Sequence, residues 1–252
     1  MGYIRLVIVG LLAVVLLILS LPFLLINLIV GLFNMSARDR LTMLAMRIVF
    51  NIALIPTGIR IHVTGLENID KDTTYIFIGN HRSIVDILVS YKLFPKITSF
   101  IAKKEIKPVP ILSWWMMLLH DLFLDREDIK QGMKIILTAI EYAKSGINIC
   151  VFPEGTRNRG EEPMLPFHAA TFKIADKSGC PIIPMTMYNM SAVFEDQFPK
   201  IKPADVYIDF GDPIYVKDLA PEDKKRLSEY VRDIMLVKYE ELKRAHEESN
   251  VN

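Results

Sequence analysis

The sequence predicts an α/β fold: a mostly parallel sheet of about seven strands flanked by helices, behind an N-terminal membrane-embedded helical element. Two patterns carry that expectation. Residues 6–34 contain no charged side chain, far more apolar chain than a soluble core helix needs. After Pro56, short runs rich in Ile, Val, Phe and Tyr alternate with segments of helical periodicity, as expected of strands joined by crossover helices and buried on both faces. At 252 residues there is room for one sizeable core and a short appendage, not for two large domains.

As one straight helix, residues 6–34 would extend about 43 Å, against a hydrocarbon core of roughly 30 Å. Pro22 sits in the middle and removes a backbone donor, so the segment should kink there, tilt, or fold back as a re-entrant pair. A cleaved signal peptide is the competing account, but the stretch is too long and no A-x-A-like site closes it. Arg38, Arg40 and Arg47 follow the stretch while only Arg5 precedes it, which puts the bulk of the chain on the cytoplasmic face. Leu41, Leu44, Ala45, Ile48, Ile52 and Ile55 then recur at helical spacing. Such a helix either lies in the interface with its arginines among anionic headgroups, or packs on the soluble domain. The expected division is an anchor with an interfacial helix over 1–56 and a soluble domain over 57–252.

Strands are expected at 59–64, 74–78, 97–102, 122–125, 147–152, 182–188 and 206–210. The clearest helix covers 128–145, with Ile129, Met133, Ile136, Leu137, Ile140 and Ala143 on one face and Gly146 as its stop. A last helix starts near Pro221 and carries Leu227, Tyr230, Val231, Ile234 and Leu242. Trp114 and Trp115 lie in an uncharged stretch, 108–120, that either touches the membrane interface or belongs to the core. Lys and Arg total 30 against 29 Asp and Glu, so no broad positive field draws nucleic acid. Cys150 and Cys180 lack CxxC spacing and read as buried, reduced thiols rather than a disulfide or a zinc site.

Two constellations carry chemistry. The strand at 74–78 runs into Gly79-Asn80-His81-Arg82-Ser83-Ile84-Val85-Asp86. On a continuous helix His81 and Asp86 would point about 140° apart and could not meet. If Ser83 caps a helix beginning at Ile84, Asp86 falls in the first turn and reaches back toward His81. A carboxylate on one ring nitrogen fixes the tautomer and steadies the imidazolium formed when the other nitrogen takes a proton. His81 is then a general base. The plainer alternative is that Asp86 completes a capping box with Ser83 and His81 is an ordinary loop histidine. One histidine and one aspartate are too few for a metal, and no HExxH occurs, so no metal is expected.

The strand at 147–152 runs into Pro153-Glu154-Gly155-Thr156-Arg157. Gly155 permits close backbone approach, Thr156 offers a hydroxyl, and Arg157 presents a planar fork suited to a phosphate. Glu154 is expected to orient Arg157 or a neighbouring loop. An ordinary surface turn is the alternative. Lys103 and Arg126 also follow predicted strands, and parallel sheets bind ligands beyond the carboxyl ends of their strands.

Taken in order, Asn80-His81-x4-Asp86, Lys103-Lys104-Glu105-Ile106, Phe123-Leu124-Asp125-Arg126, Phe152-Pro153-Glu154-Gly155-Thr156-Arg157 and Ile183-Pro184-Met185 resemble the glycerolipid acyltransferases. The likeness is greatest to bacterial 1-acylglycerol-3-phosphate acyltransferases, over 59–215. The resemblance implies a dyad of His81 and Asp86, and a glycerol phosphate held by Lys103, Arg126 and the loop of Gly155, Thr156 and Arg157. Asn80, Ser83 and Glu154 would support the site, and Pro184 would belong to a fourth block near the acyl chain. It further implies acyl-CoA or acyl carrier protein as thioester co-substrate with no cofactor, lysophosphatidic acid and membrane lipids as partners, and a place at the cell inner membrane. The chain departs from the family where His120-Asp121 stand for the usual Gly, and where His168, Ala169 and Ala170 follow Pro166-Phe167. These departures keep open a sister enzyme with another lysolipid or amphiphilic acceptor. A lipid hydrolase and a catalytically inactive lipid-binding membrane module are the readings from other classes.

Overall fold

In the computed structural model, which describes residues 1–249, the apolar N-terminal stretch is not one rod; residues 250–252 of the predicted second domain lie outside the described residues. Helix α1 (Gly2–Leu19) gives way at Ser20 to α2 (Leu21–Phe33). Pro22 falls in the first turn of α2, where a missing N–H breaks no helical bond. Asn34 then leaves the helical conformation, and its side chain accepts the Ala37 amide at 2.9 Å to start α3 (Met35–Leu54). The 18 residues of α1 span about 27 Å, close to the thickness of a hydrocarbon core, and none is buried in the protein. Such an apolar sheath is stable in lipid, not in water, so the chain is membrane-associated. The polar side chains of the stretch turn inward instead. Ser20 accepts the Trp115 indole N–H at 2.8 Å, and Asn27 accepts the Thr42 hydroxyl at 3.0 Å, as low-dielectric surroundings demand.

Helix α3 serves both surroundings. Leu41, Leu44, Ile48, Ile52 and Ile55 stay exposed, while Thr42, Met43, Met46 and Leu54 are buried in the core of the domain. Its arginines do not line up among headgroups as one expectation had it. Arg47 donates to the Phe94 carbonyl, and Arg38 pairs with Asp39 at 2.7 Å; Arg40 alone is exposed. Packing against the domain turns the first two toward protein partners.

Among the described residues seven strands and six further α-helices follow: β1 (Arg60–Thr64), β2 (Ile76–Gly79), α4 (Val85–Leu93), β3 (Thr98–Lys103), α5 (Leu112–Leu118), β4 (Leu122–Leu124), α6 (Ile129–Lys144), β5 (Asn148–Val151), α7 (Ala169–Ser178), β6 (Ile182–Tyr188), β7 (Asp205–Phe210), α8 (Pro221–Lys225) and α9 (Leu227–Ser249). They form one sheet in the order β1-β7-β6-β2-β5-β3-β4. Among these seven strands only the β6–β7 pairing is antiparallel, so β6, β2, β5, β3 and β4 all end on one edge while β1 and β7 run the other way. Along β2, Ile76 and Ile78 feed the apolar layer under α6, α7 and α9, and Phe77 feeds the one under α3, α4 and α5. Successive side chains leave opposite faces of a strand, which is why a strand covered on both sides reads as an unbroken apolar run.

Three expectations need correction. The predicted last helix breaks at Arg226, between α8 and α9. On α6 the buried face is Ala139, Ile140 and Ala143, whereas Ile129, Met133 and Leu137 are exposed; β4 is a three-residue edge strand, too short to cover the first turns. Cys150 is buried, but Cys180 is half-buried; both are free thiols. The two tryptophans divide, with Trp115 in the core and Trp114 exposed.

Candidate active site

Strand β2 ends in Gly79, where an added Cβ would lie 2.8 Å from the Phe152 ring and 2.9 Å from the Met185 methyl and would force those side chains to shift. Asn80 then extends the ladder with its side chain. Its Nδ2 donates to the Met187 carbonyl at 2.8 Å and its Oδ1 accepts the Met187 amide at 2.7 Å. With β6 thus paired by a side-chain amide, the backbone is free to turn out of the sheet at His81.

The imidazole stacks on Phe152, centroids 4.3 Å apart and planes at 13°, and its Nδ1 donates to Asp86 Oδ2 at 2.8 Å. The same oxygen accepts the backbone amides of Arg82 and Ser83, each at 2.8 Å. The dyad geometry and the capping bond that the sequence left as alternatives therefore coexist on one carboxylate oxygen. Ser83 Oγ accepts the Val85 amide at 3.0 Å, and the helix itself starts one residue later than expected, at Val85. Asp86 is only 1% exposed and the His81 side chain 14%. With Nδ1 committed as donor to a carboxylate, Nε2 carries the lone pair and is the proton-accepting atom.

Strand β5 lies beside β2 and delivers the loop of residues 153–158. Buried Glu154 accepts the His81 amide on Oε1 at 2.7 Å and the Leu165 amide on Oε2 at 2.9 Å. Burial pushes its carboxyl above the ordinary value, while those two amides and the nearby His81 pull it down. Of its two expected duties Glu154 performs the second: it holds neighbouring loops, and among the described residues it makes no hydrogen bond or ion pair with Arg157. In return, the Asn158 amide donates to the His81 carbonyl at 2.7 Å. Gly155 has φ +69°, open to glycine at little cost, and its missing side chain leaves room for the His168 ring, 3.1 Å from an ideal Cβ. One departure from the family pattern thus sits directly against this loop. The other, His120, holds φ +63°, a conformation glycine adopts freely. Its ring meets Arg38 and Asp39 on α3 at 2.8 and 3.1 Å.

Arg157 Nη1 pairs with Glu195 Oε1 at 3.1 Å, and the side chain is 38% exposed. Thr156 is exposed beside it. Lys103 and Arg126 stand at the same sheet edge but further out; at about 4.8 Å between strands, the ends of β3 and β4 are roughly 10 and 14 Å from the line of β2. Both are exposed, and neither has an ion pair among the described residues. Their neighbours Lys104 and Asp125 pair at 2.6 Å and join the two loops. Pro184 is placed differently from the rest. It is buried within β6 opposite Ile78, beneath the edge rather than on it. The sequence reading missed Phe152 as the shelf for His81, and Glu195, which lies 38 positions beyond Arg157 and belongs to no local motif.

A model of the acyltransferase family matches residues 60–188. The chain is 32% identical over 204 residues to 1-acyl-sn-glycerol-3-phosphate acyltransferase of Borreliella burgdorferi, covering 81% of each chain. The protein of that name in Saccharomyces cerevisiae is 31% identical over 75% of this chain and 63% of its own length. The crystal structure of the 1-acyl-sn-glycerophosphate (LPA) acyltransferase of Thermotoga maritima shares the fold, with a TM-score of 0.81, 24% identity and coverage of 96% and 97% of the two chains.

Proposed function

The chain belongs to the acyltransferase family, and on that premise we propose that it transfers a fatty acyl group from a thioester donor to the sn-2 hydroxyl of 1-acylglycerol 3-phosphate, giving phosphatidic acid. The carrying observation is the His81 Nδ1 to Asp86 Oδ2 bond of 2.8 Å, in a turn whose backbone is tied to the Glu154–Arg157 loop through Glu154.

His81 Nε2 takes the proton of the acceptor hydroxyl as its oxygen attacks the thioester carbonyl. The tetrahedral intermediate collapses with cleavage of the C–S bond, and the imidazolium returns its proton to the leaving thiolate. The products are the new ester and the free thiol of coenzyme A or acyl carrier protein. Asp86 holds the tautomer and steadies the imidazolium between the two transfers. No acyl-enzyme is needed, because a thioester is already activated; a positioned base contributes about 10²- to 10⁴-fold. Arg157, Thr156 and the Gly155 backbone take the acceptor phosphate, with Lys103 and Arg126 adding charge from the neighbouring loops. In this reading the edge works at the cytoplasmic face of the inner membrane, which the arginines following the apolar stretch support, and a single-chain lysolipid needs to leave the bilayer only partly.

Detergent-solubilised protein, a labelled thioester donor and a panel of acceptors with and without the terminal phosphate test the proposal. Transfer should require the phosphate. Equal transfer to the dephosphorylated acceptor would favour the sister enzyme with another acceptor, and release of free fatty acid without acceptor would favour a hydrolase.

A further inference from the structure

Glu195 lies in a short turn after β6, Glu195–Gln197, outside the stretch matched by the family model. Its carboxylate gathers three donors from both halves of the site. Oε2 accepts the Ser83 hydroxyl at 2.6 Å, and Oε1 accepts the Ile84 amide at 2.9 Å and Arg157 Nη1 at 3.1 Å. Ser83 and Ile84 sit in the turn that folds Asp86 back onto His81, and Arg157 is the cation proposed to meet the acceptor phosphate. One side chain therefore spans the dyad turn and the cationic loop.

We infer that Glu195 is a positioning residue for acceptor recognition: it holds the Arg157 fork beside the dyad turn, so that the acceptor's phosphate and its hydroxyl are registered to the same rigid segment. This rests on the reading of Arg157 as a phosphate contact. An arginine side chain has many rotamers, and a half-exposed one loses them on binding unless something orders it beforehand. Glu195 is the ion-pair partner of Arg157 among the described residues, and it engages Nη1, leaving the Nε and Nη2 edge of the fork for two phosphate oxygens. Glu195 is in turn held by the Ser83 hydroxyl and the Ile84 backbone amide. Its negative charge holds the guanidinium, while its hydrogen-bond acceptance holds the turn. A glutamine keeps one acceptor oxygen for the Ile84 amide and can donate its NH2 to Ser83 Oγ, so the turn stays tied while the charge that holds the guanidinium is lost.

The experiment is a kinetic cycle in the full-length protein with Glu195→Gln, Arg157→Ala and the double variant, measured against both substrates. Glu195→Gln should raise the KM for lysophosphatidic acid about tenfold, leave the donor KM and the pH profile of kcat unchanged, and have no further effect once Arg157 is alanine. Glu195→Ala should add a loss in kcat that Gln does not show, because it also releases the turn. An unchanged acceptor KM in Glu195→Gln, or an undiminished effect in the Arg157→Ala background, overturns the inference while Arg157→Ala alone still weakens the acceptor. If Arg157→Ala leaves the acceptor KM unchanged, the phosphate reading fails first and the inference falls with it.

Discussion

The inner and outer parts of the catalytic edge are built differently. At its centre, where β2 and β5 are neighbours, the key polar groups are committed: His81 to Asp86, Asp86 to two amides, Glu154 to two more, Asn80 to β6. At the outer end, beyond β3 and β4, Lys103 and Arg126 are exposed and without an ion pair among the described residues. Groups that move protons have to be held before substrate arrives, since a small misplacement of a reacting atom lowers the rate steeply. Groups that attract a diffusing phosphate act over a longer range and tolerate mobility. Arg157 lies between the two regimes, partly exposed yet held by Glu195.

The largest effect expected is at the centre. His81→Ala should lower kcat by about 10³-fold, ~4 kcal/mol of transition-state stabilisation, with folding and membrane binding intact. Retained turnover in purified protein would remove the central premise. Arg157→Ala comes next, with the acceptor KM rising about 10- to 100-fold and the donor KM unchanged, as for loss of a charge-assisted hydrogen bond; equal effects on both substrates would break the assignment. Lys103→Ala and Arg126→Ala should each weaken the acceptor only about three- to tenfold, an effect shrinking as salt is added. A loss as large as that of His81→Ala would erase the contrast between centre and rim.

Asp121, just before the outer strand β4, provides a stability probe independent of catalysis. Burial pushes its carboxyl up to about 8 from an ordinary 3.8, although the Phe100 amide and the Tyr91 hydroxyl pull it down. Between those values the native chain holds a proton that the unfolded chain has lost, so stability falls as pH rises through that window and levels off above it. Asp121→Asn carries no such proton. Its melting temperature should depend less on pH between about 5 and 8 than that of the parent, and parallel curves would show that Asp121 is ionised in the fold.

The dyad was legible because it is local: five positions separate His81 from Asp86, and one turn joins them. The loop at Glu154–Arg157 was legible for the same reason, as a strand end followed by glycine and arginine. Glu195 was not, since its partners come from residues 83, 84 and 157 and no spacing announces them. The outward face of α6 was misread because periodicity shows which residues share a face but not whether a neighbour is long enough to cover it. The same limit applies to Arg47: the sequence left headgroups and the domain both open, and packing gave it the Phe94 carbonyl.

By itself the amino-acid sequence determined that the chain is membrane-associated, that the part after the apolar stretch alternates strands with helices, and which short segments carry a histidine, its carboxylate partner and a cationic loop. Those features depend on composition and on residues a few positions apart. Only the tertiary structure decided that β2 and β5 are neighbours, that Glu154 takes the His81 backbone amide, and that Glu195 bridges the turn and the loop. Sheet order and side-chain register are set by hydrogen bonds and packing between distant segments, which local patterns leave open.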